Sequence, residues 1–472
     1  MAERGVYSYF SNAERKPLSS SEPRSRLMHA DVSIETSKVM DILGYGKELR
    51  EKRREYYREN DRLWNSWPVV AGILITVGSK AEGLTCYSES DKDFLLEIHD
   101  VKCLEDVSDI NAIPEQTALF SMDTRLCYPG HCRLVLERGF PLLLLSALCE
   151  DGYGLLLLSS YSFLNIFAIF KFSPGPGVKE RAGPSLPYSY GPWCNIDAVY
   201  ALRCHCPTIL QRWATRPRHW PQPDIVQKVV SMGSFVTPVG FKESEYEHVE
   251  WRICFNTGES ELVTNLNDTQ VKLYVLLKMI KQDLLKPRNK VITSYTLKNI
   301  VLWLAENNPQ TLFHEMSLFF WLREALSELR RAISSKQLPY FMIPERNLMA
   351  SCKLTDAQQR RWISKITDLI DEGPIIIQRL PKMRRAIIAH PETLRWFYMR
   401  RLELEILILE EMNRQNRSSN SNLAVNCFDG IFRQEPTRRM FKIVFEILNR
   451  MCPDERNLLL LDCSQILFRI LS

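Results

Sequence analysis

Gly78-Ser79-Lys80-Ala81-Glu82-Gly83-Leu84, then Thr85-Cys86-Tyr87-Ser88-Glu89-Ser90, then Asp91-Lys92-Asp93-Phe94-Leu95-Leu96: the reading of this 472-residue chain turns on this stretch. The residues before it, 69–77, are apolar and β-branched, so a buried strand or a helix leads into a turn. Gly78 lets the backbone approach a phosphate, and Ser79 with the first N–H groups of a following helix can hold the anion. Asp91 and Asp93 are two apart, so on a strand they share a face. Two carboxylates on one face suit a hard divalent ion. A phosphate-holding turn followed by Asp-x-Asp fits two-metal phosphoryl or nucleotidyl transfer. The plain alternative is a solvated turn. Phe94, Leu95 and Leu96 weigh against it, because buried paired carboxylates need cations.

The length allows two or three domains with their own cores. A composition 45% apolar and 25% charged is that of a globular protein. The net charge of +5 is mild, so any nucleic-acid surface must be a local patch. Thirteen scattered cysteines and a polar start, Met1 to Ser21, point to free thiols in a reducing, cytoplasmic setting. Residues 155–170 are apolar but too short and too rich in Ser for a membrane span; buried strands are expected there.

Residues 1–30 read as a disordered, Ser-rich and Arg-rich segment. A helix follows over 35–62, with Lys47, Arg50, Arg53, Arg54 and Arg58 interleaved with glutamates. This is either a solvated helix laced with i, i+4 pairs or a basic spine for a nucleic-acid backbone. Residues 100–150 alternate short apolar runs, such as 133–136 and 141–145, with turns and suit further strands. Cys127, His131 and Cys132 lie close together, but their spacing matches no common zinc site and packing is the better reading. The Pro-rich stretch 173–192 reads as a loop. Residues 195–202 read as a strand opened by Asp197, an acid that from sequence alone faces water. In 211–220, basic residues around Trp213 and Trp220 are read as a turn anchored by buried rings rather than as a stacking surface. The period becomes helical from Asp268, with an apolar stripe at Leu273, Leu276, Leu277, Ile280 and Leu284. Helices are expected over 297–306 and 314–334, with a capping-box signal at Thr355 to Gln358. Residues 413–422 read as a polar linker before a closing helical hairpin that ends at 458–461 and 466–471.

Gly78-Ser79, the spacing to Asp91-Lys92-Asp93, the block Trp251-Arg252-Ile253-Cys254-Phe255 and the block 338–348 (LPYFMIPERNL) together resemble the Mab-twenty-one (Mab-21) family. That family includes cyclic GMP–AMP synthase and the animal cyclic GMP–AMP synthase-like receptors, and the similarity spans about residues 31–350. The resemblance implies an α+β fold: a mixed-sheet nucleotidyltransferase lobe with its spine helix over 31–262, a helical lobe over 263–350, and a helical C-terminal extension over 351–472. It implies a third acid, and Asp197 is the position that fits. Asp91, Asp93 and Asp197 would then hold two Mg²⁺ or Mn²⁺ ions. Gly78, Ser79, Arg252, Glu259, Lys278, Ser294 and Tyr295 would contact ATP and GTP. Read without the resemblance, Ser294 is a helix cap and Tyr295 a core residue. The family's vertebrate DNA-sensing member carries a zinc-binding insertion. Between Arg252 and Lys290 the only cysteine here is Cys254, so no zinc is expected and double-stranded RNA is the implied activator. The expected function is cyclic-dinucleotide synthesis in innate immune signalling, with no membrane span and with ligand-induced oligomerisation. The rival is a Mab-type scaffold that keeps the fold without chemistry.

Overall fold

The computed structural model describes residues 27–66, 72–106, 113–139, 142–169, 183–190, 194–286, 292–352, 354–389, 391–419, 435–451 and 470. The expected disordered start and most of the closing hairpin lie outside these residues, as do parts of the 173–192 loop.

Ten strands form one mixed sheet: β1 Gly72–Val77, β2 Lys92–Leu104, β3 Ala118–Asp123, β4 His131–Arg138, β5 Leu148–Glu150, β6 Leu156–Leu158, β7 Leu186–Tyr190, β8 Cys194–His205, β9 Ser234–Thr237 and β10 Glu250–Cys254. The path β2-β3-β4-β10-β9-β8 closes on itself, because β8 pairs back onto β2 in parallel. β1 is antiparallel to β2 and β7 is antiparallel to β8. β2 is therefore buried at the centre, which explains its nearly continuous apolar run from Phe94 to Ile98.

Helices of two turns or more are α1 Ala30–Met40, α2 Lys47–Asn65, α3 Ser160–Ile169, α4 Pro207–Ala214, α5 Pro223–Met232, α6 Asn256–Thr264, α7 Asp268–Met279, α8 Ser294–Asn307, α9 Leu318–Ser335, α10 Asp356–Glu372, α11 Pro381–Ile388, α12 Pro391–Ser419 and α13 Glu435–Met451. Capping boxes start three of them: Asn267 with Gln270 before α7, Thr293 with Thr296 before α8, and Thr355 with Gln358 before α10. The sheet and helices α4 to α11 share one apolar core, anchored by the fully buried rings of Trp213, Trp251 and Trp321. Helices α12 and α13 form a second, smaller core around Leu404, Ile443 and Ile447.

Several local expectations are corrected. The apolar run 155–170 is a three-residue strand followed by α3, not a set of strands. Phe163 and Phe167 are one helical turn apart and pack with tilted rings, Phe163 meets Trp251 and Phe167 stacks on Tyr200, and the Ser159 hydroxyl accepts from the Ser162 N–H at 3.2 Å. Helical spacing was hidden by uniform apolarity. Residues 142–147 form a 3-10 turn rather than a strand. Residues 186–190 of the expected proline loop are strand β7. The expected linker from 413 is the end of α12: Asn413 is buried and bridges to Asn60 (3.1 Å) and the Tyr56 carbonyl (3.1 Å) on α2. Among the described residues no helix is long and apolar enough to cross a membrane.

Candidate active site

The site is built where β1 ends and where β2 and β8 begin. Asp93 on β2 has Val77 as its register partner on one side and Asp197 of β8 on the other. Paired residues of adjacent parallel strands lie on one face of the sheet, so Asp93 and Asp197 stand side by side. Lys92 alternates to the opposite face, where its ammonium donates to Asn60 Oδ1 at 3.0 Å and lies over the rings of Phe94 and Tyr57. Asp91 sits immediately before the strand.

Gly78 turns the chain out of β1 with φ at +68°. A Cβ at this position would lie 2.5 Å from Asp93 Oδ2, so both the backbone conformation and the approach of the carboxylate require glycine. The helical segment that follows, Gly78–Ala81, is a single turn and has little macrodipole to hold an anion. The cationic side chains come instead from α7 and the turn after it. Lys278 of α7 donates to Ser79 Oγ at 2.7 Å, and Lys281, one turn on, donates to Ser294 Oγ at 3.1 Å. The Ser294 hydroxyl does not cap α8; Thr293 does.

The electrostatics of the acids are unbalanced. Burial, reinforced by Asp197, Asp91 and Glu82, pushes the Asp93 carboxyl up to about 7, with Lys298 acting in the opposite sense. Glu82 is itself buried. Its Oε1 is 2.5 Å from Lys298 Nζ, and its Oε2 has no hydrogen-bond partner. An orphaned carboxylate oxygen and a carboxyl forced toward neutrality mark a cluster short of positive charge, and a divalent cation fits such a donor set. Among the described residues no three His, Cys, Asp or Glu side chains are gathered closely enough to form a ready metal cage. An ion would have to draw mutually repelling carboxylates together.

Other expected contacts are occupied within the protein. Glu259 is buried and accepts from Tyr295 OH (2.8 Å) and Tyr340 OH (2.6 Å), with Lys298 Nζ 3.7 Å away. Both tyrosine hydroxyls donate to the same oxygen, Oε1, so the Tyr295 hydroxyl is engaged with Glu259. Arg252 lies on β10 in register with His131 and Thr237, between the buried Trp251 and Ile253. Burial, with help from Arg346 and Arg252, lowers the His131 imidazole to about 3. His131 packs edge-on against Tyr128 and Phe241, and Cys132 is fully buried.

The basic helix divides. Lys47 and Arg58 are exposed. Arg50 is buried, donates to the Tyr45 carbonyl and pairs with Asp268 at 2.9 Å. Arg53 is fully buried and grips Glu405 with two bonds of 3.0 and 2.8 Å, while Arg54 is nearly buried beside Glu51. The expectation that Arg50, Arg53 and Arg54 contact nucleic acid is corrected: all three are buried, Arg53 against Glu405 of α12 and Arg50 against Asp268 of α7. In the 211–220 segment Trp213 and Trp220 are buried and Arg216 makes two bonds to Glu306, in keeping with the packing reading.

Glu82, Lys281 and Lys298 were missed. Glu82 lay inside the opening stretch, and Lys281 follows Lys278 at helical spacing. Only the fold brings Lys298 to Glu82, from 216 residues away.

Carboxylates at adjoining strand starts thus stand beside a turn that Lys278 of α7 reaches through Ser79. Residues 181–265 match the Mab-21 protein nucleotidyltransferase domain, and residues 269–368 match the Mab-21 protein HhH/H2TH-like domain. Asp197, Arg252 and Glu259 fall in the first matched segment, and Lys278, Ser294 and Tyr295 in the second. The stretch from Gly78 to Asp93 precedes both.

Proposed function

We propose that the protein is a metal-dependent nucleotidyltransferase that joins ATP and GTP into a cyclic dinucleotide, with double-stranded RNA as activator in innate immune signalling. The observation that carries the reading is the juxtaposition of Asp93 and Asp197 beside the Gly78-Ser79 turn, with Lys278 on Ser79. Asp91, Asp93 and Asp197 would hold Mg²⁺ or Mn²⁺. Bound there, the ions would acidify the attacking ribose hydroxyl and neutralise the leaving pyrophosphate. Ser79 would donate its hydroxyl proton to a phosphate oxygen, and Lys278 and Lys281 would neutralise the triphosphate. Arg252 would offer a planar fork to a phosphate or base edge. The closeness of Gly78 to Asp93 keeps donor phosphates near the acids. The lobe boundaries at 262 and 350 belong to this reading.

The scaffold alternative draws on one observation, the lack of a ready cage among the described acids. Purified protein with ATP, GTP and Mn²⁺, with and without double-stranded RNA or DNA, separates the two. A cyclic product that vanishes in D91N/D93N supports the enzyme. No product and no bound nucleotide under any activator supports the scaffold.

A further inference from the structure

We infer that the C-terminal extension, through Lys382 and Glu405, clamps the loop that joins the two halves of the candidate active site, and that these two are positioning residues for it. The inference rests on the nucleotidyltransferase reading for its functional consequence, though the clamp itself does not.

The loop 84–90 runs from the turn that carries Ser79 to the strand start that carries Asp91 and Asp93. Its own short-range bonds are Leu84 N–H to the Ser79 carbonyl at 2.9 Å, Glu89 N–H to the Cys86 carbonyl at 3.2 Å, Cys86 N–H to Glu89 Oε2 at 2.8 Å, and a Thr85–Ser90 hydroxyl contact of 3.1 Å. The remaining anchors come from distant sequence. Glu405 of α12 accepts the Tyr87 N–H at 2.9 Å while gripping Arg53 of α2. Lys382 of α11 donates to Glu89 and, at 2.8 Å, to Tyr45 OH, and Arg401 of α12 stands 3.7 Å from the same Glu89 oxygen. Lys80, next to Ser79, donates to the carbonyls of Cys86 and Tyr87, so the anchored loop is tied back to the phosphate turn.

An apolar contact points the same way independently. The Tyr87 ring packs against the small core of the extension, around Leu404, Ile443 and Ile447, rather than against the main core. The extension also lies directly against Gly44, where a Cβ would come within 2.7 Å of Leu402. Lys382, Arg401 and Glu405 all lie beyond residue 368, where the second matched domain ends. The two matched domains thus lack the parts that hold this loop.

The test uses the full chain and two readouts: hydrogen–deuterium exchange across residues 84–91, and equilibrium binding of a fluorescent ATP analogue with Mn²⁺. K382M and Y87A are expected to speed exchange in 84–91 about tenfold while β1 exchanges as before. They should also weaken triphosphate binding about tenfold, because misplacing Ser79 relative to Asp93 degrades the site. K382R should restore both readouts, and E410Q, on the exposed side of α12, should change neither. Unchanged exchange in both K382M and Y87A overturns the clamp. Exchange rising equally in β1 and β2 also overturns it, since that is general loosening. Loosened loops with undiminished triphosphate binding overturn the positioning role. A wild-type chain that binds no triphosphate defeats the nucleotide reading alone, and the exchange pattern still decides the clamp.

Discussion

Two clusters of partly or fully buried charged side chains flank the loop 84–90, and they are opposite in kind. In the one beneath it, Arg53, Glu405, Glu89, Lys382 and Arg401 interlock, and each carboxylate has a cation in contact or close by. Burial alone would raise the Glu89 carboxyl, but Lys382 and Arg401 overcome it and hold the group well below the usual carboxylate range. In the cluster beyond it, Lys298 bonds Glu82 and acts against the charge at Asp93, but burial with Asp197, Asp91 and Glu82 outweighs it and Asp93 is pushed up instead. A compensated cluster is complete and acts as structure. The raised Asp93 carboxyl and the unbonded Glu82 Oε2 mark the second cluster as short of positive charge.

The comparison breaks most directly if the acids are removed. D93N with D197N should lower nucleotide transfer by about a thousandfold or more, measured as product formed with Mn²⁺. The same pair should raise, not lower, the melting temperature of ion-free protein, because it removes like-charge repulsion. A double variant that melts earlier would show that these acids are structural.

The compensated cluster should respond in the opposite sense. R53M leaves Glu405 buried without its partner and should cost about 3–5 kcal/mol in chemical denaturation, whereas R53M with E405L should recover much of the loss. Equal costs for R53M and D93N would erase the distinction between the clusters.

Titration sharpens it further. The folded Asp93 pKa, about 7, lies above its ordinary value of 3.8. Between the two, folded protein binds a proton that unfolded chain does not, so stability falls as pH rises from about 4 to 7 and the penalty is complete above 7. Asp61, raised by burial to about 6 despite two bonds from Thr76, adds a term of the same sign. D93N should therefore flatten part of the slope, and saturating Mn²⁺ should flatten the same part in wild type. Glu89 acts oppositely: its contribution holds above the ordinary carboxylate range and is lost only as acid reaches its depressed folded pKa.

How far the sequence disclosed this arrangement depended on how local the signal was. The order Gly-Ser, then Asp-x-Asp before an apolar run, was readable because turn chemistry and strand alternation act over a few residues. The capping box at Thr355 was readable for the same reason. Asp197 looked like a solvated strand start, since only sheet pairing reveals that Asp93 is its neighbour; the family resemblance supplied it, not the residues. The tyrosines that donate to Glu259 come from 36 and 81 residues away, so no local reading could find them. The α3 helix was masked by uniform apolarity, which removes the period that tells helix from strand.

Helix α2 holds both kinds of charge within one element, and the smallest expected effect lies there. Its sequence is basic throughout, yet Arg53 is fully buried and bound to Glu405, whereas Lys47 and Arg58 face solvent. Only the exposed residues are placed to meet a phosphate backbone. K47E and R58E should each change stability by no more than about 0.5 kcal/mol, since surface charges away from buried networks contribute little. If the outer face of α2 is the RNA surface, each variant should weaken duplex RNA binding and reduce the slope of log affinity against log salt by about one. A mutation on the buried face would disturb RNA binding only by disturbing the fold, and would therefore leave that slope unchanged in the protein that remains folded. Wild-type salt dependence retained in K47E and R58E would move the nucleic-acid surface off this helix, while leaving the contrast between the two charge clusters untouched.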